Sequence, residues 1–169
     1  RPRPPPAVGD PPVRVRLRHL FAPSDRNTKP SLRVSSVSFR PLMRSATAAA
    51  PHAYSPYSRF RVGAAVLADG VQYIGCNIEN ASYGLTMCAE RVALYNGIAA
   101  GHHTIDALAV NCLDGDVSEA VGARMPCGAC RQVMRELLRP NSPIVVVDIG
   151  IFFIDELLPL SFFLQTTYR

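Results

Sequence analysis

Apolar and polar positions along residues 41–169 follow two periods, one typical of helices and one typical of strands. Good helix formers over 42–50 predict a first helix, which the segment 54–58 ends. Two apolar runs at 60–67 and 71–77 flank Asp69-Gly70, a dipeptide typical of β-hairpin turns. Both faces of the first run are apolar or small, so we expect this strand to lie centrally in a sheet.

The rest of the pattern alternates helices with strands. Two longer helices, ended by Gly101 and by Pro140, are predicted at 86–100 and 127–138. A buried strand is predicted at 105–112, and two more strands are predicted at 144–147 and 151–154. A last short helix that contains Glu156 should follow, with Asp155 as its cap. Strands alternating with helices indicate an α/β protein in which helices cover a single mixed sheet.

The N-terminal 40 residues differ from the rest in composition. Residues 1–44 carry ten Lys or Arg against two Asp, whereas residues 45–169 carry eight basic and eleven acidic residues. The net charge of +5 is therefore the sum of +8 in residues 1–44 and −3 in residues 45–169. We expect 1–40, rich in Pro and Arg, to be disordered, and 41–169 to form one catalytic domain. A mildly acidic domain is not expected to bind nucleic acid.

Cysteine usage and hydropathy bear on the compartment. The chain has five cysteines, an odd number, and three of them stand at metal-ligand spacing, so a reducing, cytoplasmic compartment is expected. No apolar run reaches the length that spans a bilayer, and no membrane partner is expected. The Arg-rich N-terminal segment also resembles an organellar transit peptide, with a mispredicted leader as the alternative.

Three cysteines are candidate zinc ligands. Cys127 and Cys130 are three residues apart at the start of a predicted helix, so both sulfurs can reach one point. Cys88 opens another predicted helix and can be the third ligand. Three protein ligands leave the fourth tetrahedral position for water, which is typical of catalytic zinc. A closed structural site would need a fourth ligand, and His102 and His103 lie at the far end of the Cys88 helix.

Charged residues beside these cysteines complete the candidate chemistry. Glu90, two residues after Cys88, is placed to move a proton. Zinc deaminases show a His or Cys, a spacer, Glu and then P-C-x-x-C, and this chain matches with Cys in the first place. Three thiolates on Zn²⁺ leave a net charge of about −1, from the ligand charges. Arg91 and Arg131 are the candidates that offset it; a solvated helix face is the alternative for each.

Beyond these residues, the chain resembles the small homotetrameric cytidine deaminases of pyrimidine salvage. The resemblance covers about residues 50–163 and rests on segments 54–65, 75–80, 88–91, 126–132 and 156–159. It implies a three-layer α/β/α fold with one mixed five-stranded sheet and one Zn²⁺ per subunit. The implied reaction is hydrolytic deamination of cytidine and deoxycytidine to uridine and deoxyuridine. Zinc-bound hydroxide would attack C4 while Glu90 shuttles protons to N3 and the leaving amine.

The resemblance also implies which residues bind the nucleoside substrate. Asn77 and Glu79 would hydrogen-bond the ribose hydroxyls, and alternate positions on a strand face the same side. Phe60 would pack on the pyrimidine, while the backbone around Ala89 and Met125 would read the edge of the base.

Neighbouring subunits are implied to complete each pocket, so the active sites would be shared within the homotetramer. Phe162 matches the aromatic residue that crosses to the next subunit, and Tyr83 would lie at an interface. The predicted hairpin at 144–154 is a few residues shorter than in typical relatives. Two alternatives remain open, namely deamination of a cytosine-containing nucleoside analogue and an RNA- or protein-binding module that uses the basic N-terminal segment.

Overall fold

In the computed structural model, the described residues are 39–116, 118, 120–139 and 141–164. The disorder predicted for 1–40 falls almost entirely outside them. The helices are α1 (Arg40–Ala49), α2 (Ala89–Ala99), α3 (Gly128–Leu137) and α4 (Ile154–Leu157). The strands are β1 (Val62–Ala68), β2 (Val71–Cys76), β3 (Ala107–Cys112), β4 (Ile144–Val146) and β5 (Gly150–Phe152). Short 3₁₀ turns at Ala50–His52, Tyr83–Leu85 and Val121–Arg124 were not predicted.

The five strands form one mixed sheet in the order β2-β1-β3-β4-β5. Strand β1 pairs antiparallel with both β2 and β3, which confirms its predicted central position. Strands β3 and β4 run parallel, and β5 closes the sheet as an antiparallel edge strand. The predicted mixed five-stranded sheet is confirmed.

Helices cover both faces of this sheet. Alternate residues of β1 point to opposite sides, as the pleat of a strand requires. Ala64 and Val66 belong to the core beneath α2, α3 and α4, whereas Ala65 belongs to the core beneath α1. The protein is therefore the predicted three-layer α/β/α structure.

Two glycines let helices approach the sheet from opposite sides. A Cβ at Gly75 of β2 would lie 2.4 Å from the backbone nitrogen of Ala93 and 2.6 Å from the carbonyl oxygen of Ala89, both in α2. A Cβ at Gly63 of β1 would lie 2.1 Å from the carbonyl oxygen of Ala46 in α1. The absence of a Cβ at these two glycines thus determines how closely α1 and α2 pack on the sheet.

The strand predicted over 60–67 begins two residues later, at Val62. Arg59 has a φ of 56°, which turns the chain sharply just before the strand. The backbone N–H of Arg61 donates to the Asp114 carboxylate at 2.8 Å rather than to a neighbouring strand. Regular strand pairing therefore begins only at Val62.

Helix α2 begins three residues after the predicted start, at Ala89. The preceding residues are extended, because Met87 and Ile78 pair as an antiparallel bridge. Gly101 follows the helix with a φ of 99°, which confirms it as the predicted stop.

The expectation that Asp155 caps the last helix is wrong. Helix α4 begins at Ile154, and Phe153 occupies the N-cap position. The Glu156 carboxylate accepts the Phe153 N–H at 2.8 Å, so it satisfies a backbone donor at the helix start. Asp155 instead pairs with Arg135 at 2.6 Å.

Among the described residues, no helix is both long and apolar enough to cross a membrane.

Candidate active site

Three thiols meet where the first turns of α2 and α3 approach each other. Cys88 is the N-cap residue of α2, Cys127 is the N-cap residue of α3, and Cys130 lies in the first turn of α3. The sulfur of Cys127 lies 3.8 Å from that of Cys88 and 3.5 Å from that of Cys130. All three sulfurs lie within 4.8 Å of one another. The predicted convergence of the cysteines at two helix N-termini is confirmed.

The spacing of these sulfurs fits zinc. Thiolates bind Zn²⁺ at about 2.3 Å in tetrahedral geometry, which places neighbouring sulfurs about 3.8 Å apart. The two measured separations, 3.8 and 3.5 Å, agree with that requirement. Free backbone N–H groups and the positive end of the dipole at each helix start stabilise thiolates.

Charge is unevenly distributed among the thiols. Hydrogen bonding to Cys130 lowers the pKa of Cys88, and the Arg91 guanidinium contributes to the same shift. The same contact with Cys88, together with burial, raises the pKa of Cys130. Arg91 Nη2 lies 3.4 Å from the Cys88 sulfur and 3.3 Å from the Thr86 carbonyl oxygen. Arg91 therefore places a cation directly against one thiolate.

Arg131 makes different contacts. Its Nε donates to the Pro126 carbonyl at 2.7 Å and its Nη1 to the Leu157 carbonyl at 2.9 Å. These bonds tie the residue before Cys127 to α4. Arg131 thus fixes the backbone that carries the thiols. Among the described residues, it donates hydrogen bonds to these carbonyl oxygens and not to the sulfurs.

Glu90 is a buried carboxylate next to the thiols. Only 5% of the residue is exposed, although it lies in the first turn of α2. Removal from water raises the pKa of Glu90 to about 7, and the negative charge of Cys88 adds to the shift. A carboxyl group with this pKa can both accept and donate a proton near neutral pH.

Glu90 and two of the three candidate zinc ligands, Cys88 and Cys127, line one cavity of about 410 Å³. Of the residues expected to contact substrate, Phe60, Asn77, Glu79, Ala89 and Met125 also line this cavity. The structure therefore brings together the candidate catalytic, metal-binding and substrate-binding residues of a single chain.

Asn77 and Glu79 both bond to the chain segment that carries Phe60. Asn77 donates to the Phe60 carbonyl and accepts the Val62 N–H, each at 2.8 Å. The Glu79 carboxylate accepts the N–H groups of Tyr57 at 3.0 Å and Ser58 at 3.2 Å. The side chains thus lie on the same side, as their spacing predicts, and they hold one wall of the cavity.

Tyr83 and Phe162 lie outside the cavity of the single chain. The former is 77% exposed in a 3₁₀ turn and the latter 68% exposed after α4. Gln132 donates to the backbone carbonyl of Phe162 at 2.9 Å. Their contact with substrate remains a prediction that depends on a neighbouring subunit.

Several cavity residues were not singled out from the sequence. They are Ser58, Val62, Thr86, Val110, Cys112, Ala123 and Arg124. Arg124 is 8% exposed, and the end of a 3₁₀ turn brings it to the wall. Only Ser58 and Val62, inside the motif at 54–65, carried a sequence signal for the site, because tertiary packing alone brings the others there.

Comparison with known proteins agrees with this geometry. The family model for the cytidine and deoxycytidylate deaminase zinc-binding region matches residues 38–146. A cytidine deaminase from Halalkalibacterium halodurans is 45% identical over 126 residues, covering 72% of this chain and 91% of the relative. One from Sporosarcina psychrophila is 44% identical over 115 residues, covering 65% and 80%.

Solved structures show the same likeness. A crystal structure of cytidine deaminase from Burkholderia pseudomallei matches with a TM-score of 0.65 and 42% identity, covering 74% of this chain and 99% of that one. The cytidine deaminase from Mycobacterium tuberculosis matches with a TM-score of 0.66 and 42% identity, covering 76% and 99%.

Proposed function

Because this chain belongs to the cytidine and deoxycytidylate deaminase zinc-binding family, we propose that it catalyses the hydrolytic deamination of cytidine and deoxycytidine to uridine and deoxyuridine. Such a reaction would serve pyrimidine salvage. The observation that carries the proposal is the meeting of three thiols beside a buried carboxylate, Glu90, which lines a cavity together with two of those thiols.

The three thiols would hold Zn²⁺, which supplies a Lewis acid that makes water a nucleophile near neutral pH. Arg91 offsets the negative charge that the thiolates place there. Arg131 acts at a distance, by fixing the backbone before Cys127.

Glu90 would move the protons of the reaction. It accepts one proton from the attacking water and passes it to N3 of the base. It then accepts the second proton from the hydroxyl newly bound to C4 and delivers it to the amine that leaves C4. Water and cytidine are consumed, and uridine and ammonia are formed. The buried position of the carboxyl supports this role, because a group of pKa about 7 exchanges protons readily in both directions.

The remaining cavity residues would position the nucleoside. Asn77 and Glu79 would bind the ribose hydroxyls with the hydrogen-bonding capacity that their contacts to the protein leave free. Phe60 would pack on the pyrimidine, while the backbone at Ala89 and Met125 would read the edge of the base.

We further propose a homotetramer in which neighbouring chains complete each site. The high exposure of the aromatic side chains of Tyr83 and Phe162 supports this assembly, because large apolar side chains favour burial at an interface. Light scattering should report a tetramer; a monomer that turns over cytidine would refute the shared site.

The decisive experiment compares the zinc-loaded protein with its Glu90→Gln variant. Loss of cytidine absorbance measures turnover, and elemental analysis measures bound zinc. General acid–base catalysis contributes about 10²–10⁴-fold, so the variant should lose activity by that factor while it keeps its zinc.

Glu136→Gln is the matched control, because Glu136 is exposed on α3. It should turn over cytidine like the wild type. Equal turnover by Glu90→Gln and the wild type would refute the proton-shuttle role, and absence of turnover in the wild type would refute the deaminase proposal.

A further inference from the structure

The hydroxyl of Ser58 joins two residues of the cavity wall. It donates to one oxygen of the Glu79 carboxylate and accepts the backbone N–H of Phe60 at 3.0 Å. A serine hydroxyl has one donor and two acceptor sites, so both contacts can form together. Ser58 itself lines the cavity.

These bonds restrict the direction of the Glu79 carboxylate. It accepts hydrogen bonds from the N–H groups of Tyr57 and Ser58 and from the Ser58 hydroxyl. A carboxylate offers about four acceptor sites, so about one remains for a ligand. The three bonds decide where that site points, and the Ser58 hydroxyl is the one side-chain group among the donors. The same hydroxyl lowers the pKa of Glu79.

Phe60 is held from both ends of its backbone. The Ser58 hydroxyl accepts its N–H, and the Asn77 amide donates to its carbonyl at 2.8 Å. Between Ser58 and Phe60 the chain passes through Arg59 with a φ of 56°, a conformation that most side chains disfavour. Without the Ser58 hydroxyl, nothing recorded among the described residues would hold the Phe60 N–H in this turn.

We propose that Ser58 is a positioning residue of the substrate site, whose hydroxyl aims the Glu79 carboxylate at the ribose and sets the place of Phe60 beside the base. This inference rests on the proposed function. Its expected signature is a rise in KM with little change in kcat, because the hydroxyl acts on binding and not on the reacting atoms.

The test measures uridine and 2′,3′-dideoxyuridine binding by calorimetry for the wild type, Ser58→Ala and Ser58→Thr. Hydrogen bonds to charged groups are worth about a tenfold to hundredfold change in affinity. Ser58→Ala should therefore weaken uridine binding by about that factor, and Ser58→Thr, which keeps a hydroxyl, should restore most of it. The loss should be smaller for 2′,3′-dideoxyuridine, which offers Glu79 no ring hydroxyl.

A double-mutant cycle with Glu79→Gln separates positioning from general damage. If Ser58 acts through Glu79, Ser58→Ala should reduce uridine affinity by a smaller factor in the Glu79→Gln background than in the wild type. Hydrogen exchange of the Phe60 amide should be faster in Ser58→Ala than in Ser58→Thr.

Ser45→Ala is the matched control, because the Ser45 hydroxyl makes a 2.6 Å side-chain hydrogen bond to Gln72 away from the cavity. It should bind both nucleosides like the wild type. If the wild type is active and Ser58→Ala matches Ser45→Ala, or if losses are equal for both ligands and additive with Glu79→Gln, the role of Ser58 is refuted. If the wild type neither binds uridine nor turns over cytidine, the proposed function fails and this inference fails with it.

Discussion

A single methyl group at Gly75 should displace the start of α2 and so distort the candidate zinc site. In Gly75→Ala the new Cβ would meet the backbone of α2 at 2.4 Å, whereas ordinary contacts begin at 3.4 Å. The first turns of α2 must therefore move away by about 1 Å, because backbone atoms cannot turn aside as a flexible side chain can. Cys88 and Glu90 lie at that end of the helix and would move with it.

Two losses should follow from this displacement. Overpacking of a core costs about 1–3 kcal/mol, which corresponds to a Tm lower by several degrees. Zinc sites tolerate deviations of only about 0.2 Å in ligand distance. A displacement of about 1 Å should therefore weaken zinc binding by about 10–100-fold, the same factor as the loss of a residue that orients a metal ligand. Competition with a chromophoric chelator measures zinc affinity, and thermal denaturation of the zinc-free protein measures stability.

Gly63→Ala is the matched control on the opposite face. Its Cβ would meet the backbone of α1 at 2.1 Å, so it should lower the Tm at least as much. Since α1 carries no zinc ligand, zinc affinity in the folded protein should stay near that of the wild type. A Gly75→Ala protein with wild-type zinc affinity, or a Gly63→Ala protein with an equal loss, would refute the argument.

Two more predictions concern charged side chains. Arg91→Ala removes the cation that contacts Cys88 and should weaken zinc binding by about tenfold, with partial recovery in Arg91→Lys, as measured by chelator competition; unchanged affinity in Arg91→Ala would contradict a charge-balancing role. Hydrogen bonding to Arg61 lowers the pKa of Asp114 to about 2 from its ordinary 3.8. The folded state holds this proton less tightly, so Asp114 stabilises the fold above pH 3.8, and that contribution is lost as pH falls through 2. The stability gap between wild type and Asp114→Asn, measured by urea denaturation, should therefore close in acid; a gap that widens there would show the wrong sign.

The sequence predicted the metal centre well because its geometry is local. Two cysteines three residues apart at the start of one helix lie on the same side of it, and Cys88 at another helix start needed only the correct packing of two helices. The apolar faces of β1 likewise placed it in the interior of the sheet, between two neighbouring strands.

The contacts of the cavity wall could not be predicted in the same way. Spacing indicated that Asn77 and Glu79 face one side, but not that the 57–62 segment would take up most of their hydrogen bonds. That arrangement depends on a turn at Arg59 with positive φ, which local preference disfavours and only tertiary contacts sustain. The prediction that Asp155 caps α4 was wrong for a related reason, because Asp155 forms an ion pair with Arg135 of α3.

The positions of Cys88 and Cys127 have a consequence for the lifetime of the folded chain. They are 39 positions apart in the chain, and the segment between them includes the whole of β3, the central strand of the sheet. An ion held by both sulfurs would be a reversible cross-link that closes this loop. Such a cross-link reduces the entropy that the chain gains on unfolding. Zinc supply would then govern how much intact protein survives in a cell, and a zinc-starved cell would lose the enzyme by degradation as well as by inactivity.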